Sequence, residues 1–137
     1  MGRILAIDYG EKRIGLALSD ENKEFAFEYE IWQAADFFKK ISGLISEKEI
    51  EKIVLGKPVN LKGESTKKTQ EVLRFQEKLQ KTLPQECKID LLDERLSSKM
   101  AEKIAGTSKN IDALAAQIFL QNYLNKNAKQ NSSETEI

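Results

Sequence analysis

The sequence predicts an α/β domain built on a mixed five-stranded sheet with helices on both faces. Three observations carry that prediction. Three strand-like segments follow one another before Gln33 with no helix between them; two later apolar runs alternate with helical patterns; and the helical patterns each show one apolar stripe. The order β-β-β-α-β-α-β-α-α makes the first three strands a meander and the later ones additions to the same sheet.

The segment from Arg3 to Asp20, RILAIDYGEKRIGLALSD, organises the rest. Ile4 to Ile7 form one apolar run, Gly10 permits a sharp turn, and Ile14 to Leu18 form a second run. Asp8 closes the first run, where a buried and unpaired carboxylate would be costly, so it requires a cation, a set of donors or a wet cleft. Gly10, Gly15 and Ala17 keep bulk low beside it. Asp8 is therefore a candidate metal ligand, weighed against the ordinary use of Asp at strand turns. An acid-plus-glycine hairpin also opens the actin-like and sugar-kinase ATPases, but those need two such domains around a cleft, more than 137 residues supply.

Glu24 to Trp32 (EFAFEYEIW) sets Phe25, Phe27, Tyr29 and Ile31 against Ala26, Glu28 and Glu30, a third strand with one wet face whose charges suit a sheet edge. From about Ala34 to Ser46, residues Phe37, Phe38, Ile41, Leu44 and Ile45 recur at helical spacing and read as core packing rather than a base-stacking platform. Lys52 to Gly56 is a short strand, followed by a loop with Pro58, Asn60 and Gly63. A helix over Glu64 to about Leu83 carries Val72, Leu73, Phe75, Gln76 and Leu79, and Pro84 ends it. Ile89 to Leu92 forms the fifth strand and finishes on Asp93 and Glu94. Ser97 or Ser98 can cap a short helix ending near Gly106, and Asn110 can cap the last one, whose Leu114, Ala115, Ile118 and Phe119 would pack on the sheet. From about Asn125 to Ile137 apolar periodicity stops, so residues 1–124 are expected to form one domain and 125–137 a disordered polar tail.

Composition excludes several chemistries. With no histidine, the chain cannot use a Ser-His-Asp or Cys-His mechanism, an imidazole zinc site or a histidine general base. Its single cysteine, Cys87, forms no intramolecular disulfide and reads as a small buried filler. Lys and Arg number 22 against 22 Asp and Glu, so a polyanion would have to be held by a local basic surface or by bridging metal ions. No apolar run reaches the length of a membrane span and no signal-peptide pattern precedes the first strand, which leads us to expect a cytoplasmic protein with no membrane partner.

The acids form a constellation: Asp8 at the end of strand one, Asp93 and Glu94 at the end of strand five, and Asp112 in the first turn of the last helix. Each has an ordinary structural explanation, Asp112 as the acid that a helix dipole favours. Those separate explanations leave their joint placement unaccounted for. If strands one, four and five are parallel neighbours, their carboxyl ends open on the sheet edge where ligand crevices lie. An oxygen-only cluster there suits Mg²⁺ or Mn²⁺ and the hydrolysis of phosphodiesters.

Four ordered motifs, AIDYGEKRIGLALSD, IVLGKPVNLKGE, DERLSS and IDALAAQIFLQNYL, resemble the YqgF family, also called RuvX: pre-16S rRNA nucleases and Holliday-junction-resolvase-like proteins. The resemblance spans residues 3 to 124. It implies an RNase H-like fold, a divalent-metal nuclease site and a role in maturing the 5′ end of 16S rRNA, with nucleic acid (pre-16S rRNA, branched DNA) and ribosomal particles as partners. A Holliday junction resolvase and a catalytically silent nucleic-acid-binding module are the alternatives. By position, Asp8 matches the first catalytic acid, Glu94 in DER the second, with Asp93 in reserve, and Asp112 the third. Lys57 stands where the family carries an apolar residue, and the segment from Met100 to Asn110 is short and poor in basic residues. Among basic residues in motif segments, Arg13, Lys62 and Arg95 are the expected substrate contacts.

Overall fold

The computed structural model describes residues 2–58, 66–94 and 111–135, and gives the backbone alone at 58, 93, 94, 111, 112 and 127–135. Five strands form one sheet: β1 (Arg3–Asp8), β2 (Arg13–Ser19), β3 (Ala26–Gln33), β4 (Ile50–Pro58) and β5 (Lys88–Glu94). Their spatial order is β3-β2-β1-β4-β5, with the meander antiparallel and β4 and β5 parallel to β1. β1 takes the centre because Ile4 to Ile7 are all buried, which requires cover on both faces. A 3-10 turn (Ala34–Asp36) leads into α1 (Phe37–Glu47), and α2 (Lys67–Thr82) joins β4 to β5. The long helix α3 (Ile111–Thr135) follows β5 in the described chain.

Strand alternation divides the core in two. Leu5, Ile7, Ile14, Leu16, Ile53 and Leu55 face α1 and α2, where they meet Phe37, Ile41, Val72, Phe75 and Leu79. Ile4, Ala6, Ala17 and Val54 face the other way and meet Ala116, Phe119, Leu120 and Leu124 of α3. Each large side chain so buried contributes about 1.5–3 kcal/mol, and the alanines let α3 lie close to the sheet. α2 begins at a capping box in which the Thr66 hydroxyl and the Thr69 backbone and side chain satisfy one another, a little later than the sequence pattern suggests. Cys87 is buried as expected, and burial raises its thiol pKa.

Polar contacts fix the axial position of α3. The Gln117 amide donates to the Ala26 carbonyl at 3.1 Å, and the Gln121 side chain accepts from Ala26 N–H at 2.8 Å and donates to the Glu24 carbonyl at 2.9 Å. Farther along, the Tyr123 hydroxyl donates to Asp90 at 2.7 Å and accepts from Lys52 at 3.0 Å. Ala26 pairs with Ser19, whose hydroxyl accepts from Ile4 N–H, so Gln121 lies level with the amino end of β1. Asp112 stands nine residues earlier on the helix, about 13 Å away, and Asp8 stands four residues beyond Ile4, also about 13 Å away. The start of α3 therefore reaches the edge where β1 ends.

Three local expectations change. Phe25 and Phe27 are exposed at 57% and 55%. A bulge sets Glu30 opposite Leu16 but Glu28 opposite Ala17, leaving Tyr29 without a register partner and reversing the phase of β3. Ala26, before the bulge, is buried on the α3 side and Trp32, after it, on the α1–α2 side, although β3 does occupy the edge. On α3 the buried stripe is Ala113, Ala116, Phe119 and Leu120, with Ala115 beside it, rather than one centred on Leu114 and Ile118. Its backbone stays helical to Thr135, whereas the sequence pattern closes the helix near Leu124. The short helix expected over 97–106 lies outside the described residues.

Candidate active site

Asp8 is the last residue of β1, and both neighbouring strands carry glycine beside it. Gly15 is its partner on β2, and on β4 Gly56 follows Leu55, the partner of Ile7. Both glycines are buried, and neither adds side-chain bulk beside the carboxylate. Gly10 tightens the β1–β2 connection: a Cβ there would lie 2.3 Å from the Arg13 carbonyl oxygen, so no larger residue fits without moving the hairpin.

Register assigns faces to the acids. Asp8 alternates with Ile4 and Ala6, which pack toward α3. On β5, Asp90 bonds Tyr123 of α3 and Leu92 packs against the α3-side core, while Ile89 packs against the α1–α2 core. Counting on in twos, position 94 has the α3-side register and position 93 the opposite one. β5 reaches the same level as β1, since Gly56 pairs with Leu92 and Pro58 with Glu94. The backbone thus brings the ends of β1 and β5 and the first turn of α3 to one edge and one face. Among the described side chains no three acidic or thiol groups gather; Glu94 and Asp112 are described by their backbone alone.

Arg13 opens β2, exposed, two residues before Gly15 and hence on the Asp8 face by alternation. Lys62 and Arg95 lie outside the described residues. Lys57 is half-buried on β4 opposite Asp93, next to this edge.

On the α1–α2 side of the same edge the structure contains a feature that sequence reasoning missed. Tyr9, Phe38, Glu71, Arg74, Phe75 and Lys78 line a groove of about 300 Å³. Burial, reinforced by the charges of Glu71 and Glu11, raises the Tyr9 pKa and keeps its hydroxyl protonated. Only the i, i+4 spacing of Arg74 and Lys78 hinted at this, because the meeting of β1, α1 and α2 depends on tertiary packing. A larger cavity of about 410 Å³, at the opposite edge, is lined by Glu49, Glu51 and Glu86, an unsuitable wall for a polyanion. Among the described residues no helix is long and apolar enough to cross a membrane.

A family model described as RuvX, Holliday junction resolvase, matches residues 2–126. A curated protein of Sulfurihydrogenibium sp. (strain YO3AOP1), named "Putative pre-16S rRNA nuclease", is 40% identical over 133 residues, covering 92% of this chain and 92% of its own. A protein of the same name from Syntrophomonas wolfei is 41% identical over 133 residues, covering 89% and 93%. Among solved structures, T. thermophilus RuvC in complex with a Holliday junction substrate superposes with a TM-score of 0.54 at 12% identity, covering 93% of this chain and 96% of that one. The Fowlpox virus Holliday junction resolvase does so with a TM-score of 0.54 at 12% identity, covering 90% and 99%. At such identity the likeness concerns the fold alone, and it bears out the RNase H-like class.

Proposed function

This chain belongs to the RuvX (YqgF) family, and from that premise we propose a divalent-metal-dependent nuclease that hydrolyses phosphodiester bonds to mature the 5′ end of the 16S rRNA precursor. The observation that supports this reading most is the meeting of the carboxyl ends of β1 and β5 with the first turn of α3 on one face of one sheet edge. In this reading Asp8, Glu94 and Asp112 hold the metal. Their donors are oxygen only, in a chain without histidine, which fits a hard cation such as Mg²⁺ or Mn²⁺. Such an ion, when bound, activates water and stabilises the leaving oxygen of a phosphodiester. Gly15 and Gly56 keep side-chain bulk low beside Asp8, and Arg13, Lys62 and Arg95 grip neighbouring phosphates, offsetting the repulsion a carboxylate edge exerts on a polyanion. The work is cytoplasmic, on naked precursor or on ribosomal particles.

A second substrate comes from the family model's own description, a four-way DNA junction. The test is incubation of the purified chain with a precursor 16S fragment and, separately, a synthetic four-way junction, with Mg²⁺ or Mn²⁺ and with chelator. The expected result is metal-dependent cleavage of the precursor near the mature 5′ end, absent with chelator and in Asp8→Asn. Cleavage confined to the junction would favour the resolvase reading, and binding without cleavage in any metal would make the chain a silent binding module.

A further inference from the structure

The groove behind Asp8 differs from the aromatic core it adjoins. Phe37 lies 5.1 Å, centroid to centroid, from both Phe38 and Phe75 and is fully buried, as an aromatic kept only for packing should be. Tyr9 and Phe38 also pack on Phe75, at 4.7 and 5.6 Å, yet both stay half-buried and line the opening. Its rim carries two exposed cations one turn apart on α2, Arg74 and Lys78, with the Lys78 ammonium 4.5 Å from the Phe38 ring centre. Glu71 sits one turn earlier on the same helix.

We infer that this groove takes one unpaired nucleotide of the substrate strand flanking the scissile phosphate, its base against the Tyr9 ring beside the Lys78–Phe38 pair and its phosphate against Arg74 and Lys78. Partly open aromatic rings beside paired cations are what a single-stranded base and its phosphate require, since every base offers a π-face and the backbone a negative charge. The volume, about 300 Å³, lies within the range of small-ligand pockets. Glu71 repels phosphate at its end of the groove and so orients the nucleotide toward Arg74. A base inside a duplex has both faces stacked and cannot enter, so the groove selects substrates with a single-stranded flank. Tyr9 directly follows Asp8 but lies on the opposite face of the sheet, so the bound nucleotide is one that the substrate strand reaches by passing around the end of β1 from the acids. The inference rests on the nuclease reading and specifies the substrate feature that it recognises.

The test is fluorescence anisotropy in chelator, which prevents cleavage, with an RNA duplex carrying a single-stranded flank, intact or made abasic at one flank position at a time. For the wild-type chain one abasic position should weaken binding about fivefold or more. Tyr9→Leu should lose the same factor on intact RNA and become insensitive to that abasic position, while Tyr9→Phe, which keeps the ring, should behave as wild type. Arg74→Ala with Lys78→Ala, both at exposed positions that folding tolerates, should flatten the dependence of log affinity on log salt by up to about two units. If both variants bound as wild type, or Tyr9→Leu kept full sensitivity to every abasic position, the groove would be an ordinary surface feature. Failure to bind any probe both in chelator and, with the cleavage-deficient Asp8→Asn chain, in Mg²⁺ would instead overturn the nuclease reading, and the groove with it.

Discussion

Replacing Tyr123 with phenylalanine removes one oxygen from the contact that locks α3 to β4 and β5. That oxygen donates to Asp90 at 2.7 Å and accepts from Lys52 at 3.0 Å, while Lys52 and Asp90 remain an ion pair at 3.4 Å without it. Hydrogen bonds to charged groups contribute about 1.5–3 kcal/mol where water is excluded. Here the Lys52 and Asp90 side chains are 34% and 46% exposed, so water replaces part of the loss and the screened cost falls to about 1 kcal/mol. For a domain of this size that is a fall in Tm of about 4 °C. The assay is urea unfolding, in which the midpoint should drop with the slope unchanged. The Tyr123 hydrogen bond is also the main reason that the Lys52 pKa lies above its usual 10.5. Because the folded-state value is raised, that part of the stabilisation is complete below 10.5 and fades as pH rises through the raised value, where the gap between wild type and variant should narrow to the Tyr123–Asp90 bond. Cleavage should persist, since Asp90 lies about 13 Å along β5 from Glu94. An unchanged midpoint would refute the energetic reasoning, and lost cleavage in a stable variant would refute the claim that this contact only anchors the helix.

Three other outcomes follow from the same geometry. Asp8→Asn should reduce cleavage by more than about a hundredfold, beyond the usual effect of losing a residue that merely supports a metal ligand, while thermal unfolding shows stability kept or raised because like charge at the edge is relieved. Arg13→Ala should weaken RNA binding and make the plot of log affinity against log salt shallower by up to about one unit, with Lys62→Ala and Arg95→Ala acting likewise. Asp20 accepts backbone hydrogen bonds from Phe25 at 3.0 Å and Glu24 at 2.8 Å, and these lower its pKa from 3.8. Its contribution is therefore present above 3.8 and lost as pH falls through the lowered value, so urea midpoints of wild type and Asp20→Ala should differ at pH 7 and converge in strong acid.

Much of the frame was legible because it rests on periodicity. The all-apolar run Ile4 to Ile7 implied a central strand, the charges of Glu28 and Glu30 an edge, and the helical stripes two covered faces. What escaped depends on pairing. The bulge at Tyr29 exists only relative to β2, so the single wet face expected of this strand was misjudged: Ala26 is buried toward α3 and Trp32 toward α1 and α2. The stripe on α3 shifted because alanines, weak in any hydropathy pattern, make its closest contacts. Asp8 stood out from sequence as an acid closing an apolar run, but the choice between Asp93 and Glu94 needs the face of β5, which only the contacts of Asp90 and Leu92 reveal. The Tyr9 groove joins three elements distant in sequence, and only the helical spacing of Arg74 and Lys78 marks its rim locally.

The central claim is that one face of one sheet edge gathers the acids, and substitution of two adjacent residues tests it most directly. Metal-dependent cleavage of the precursor 16S fragment should be measured for Glu94→Gln and Asp93→Asn side by side, together with calorimetric titration of Mn²⁺. The register of β5 predicts that Glu94→Gln loses cleavage by more than about a hundredfold and weakens Mn²⁺ binding, while Asp93→Asn, on the opposite face, stays close to wild type in both. The reverse pattern, with Asp93→Asn inactive and Glu94→Gln active, would contradict the account.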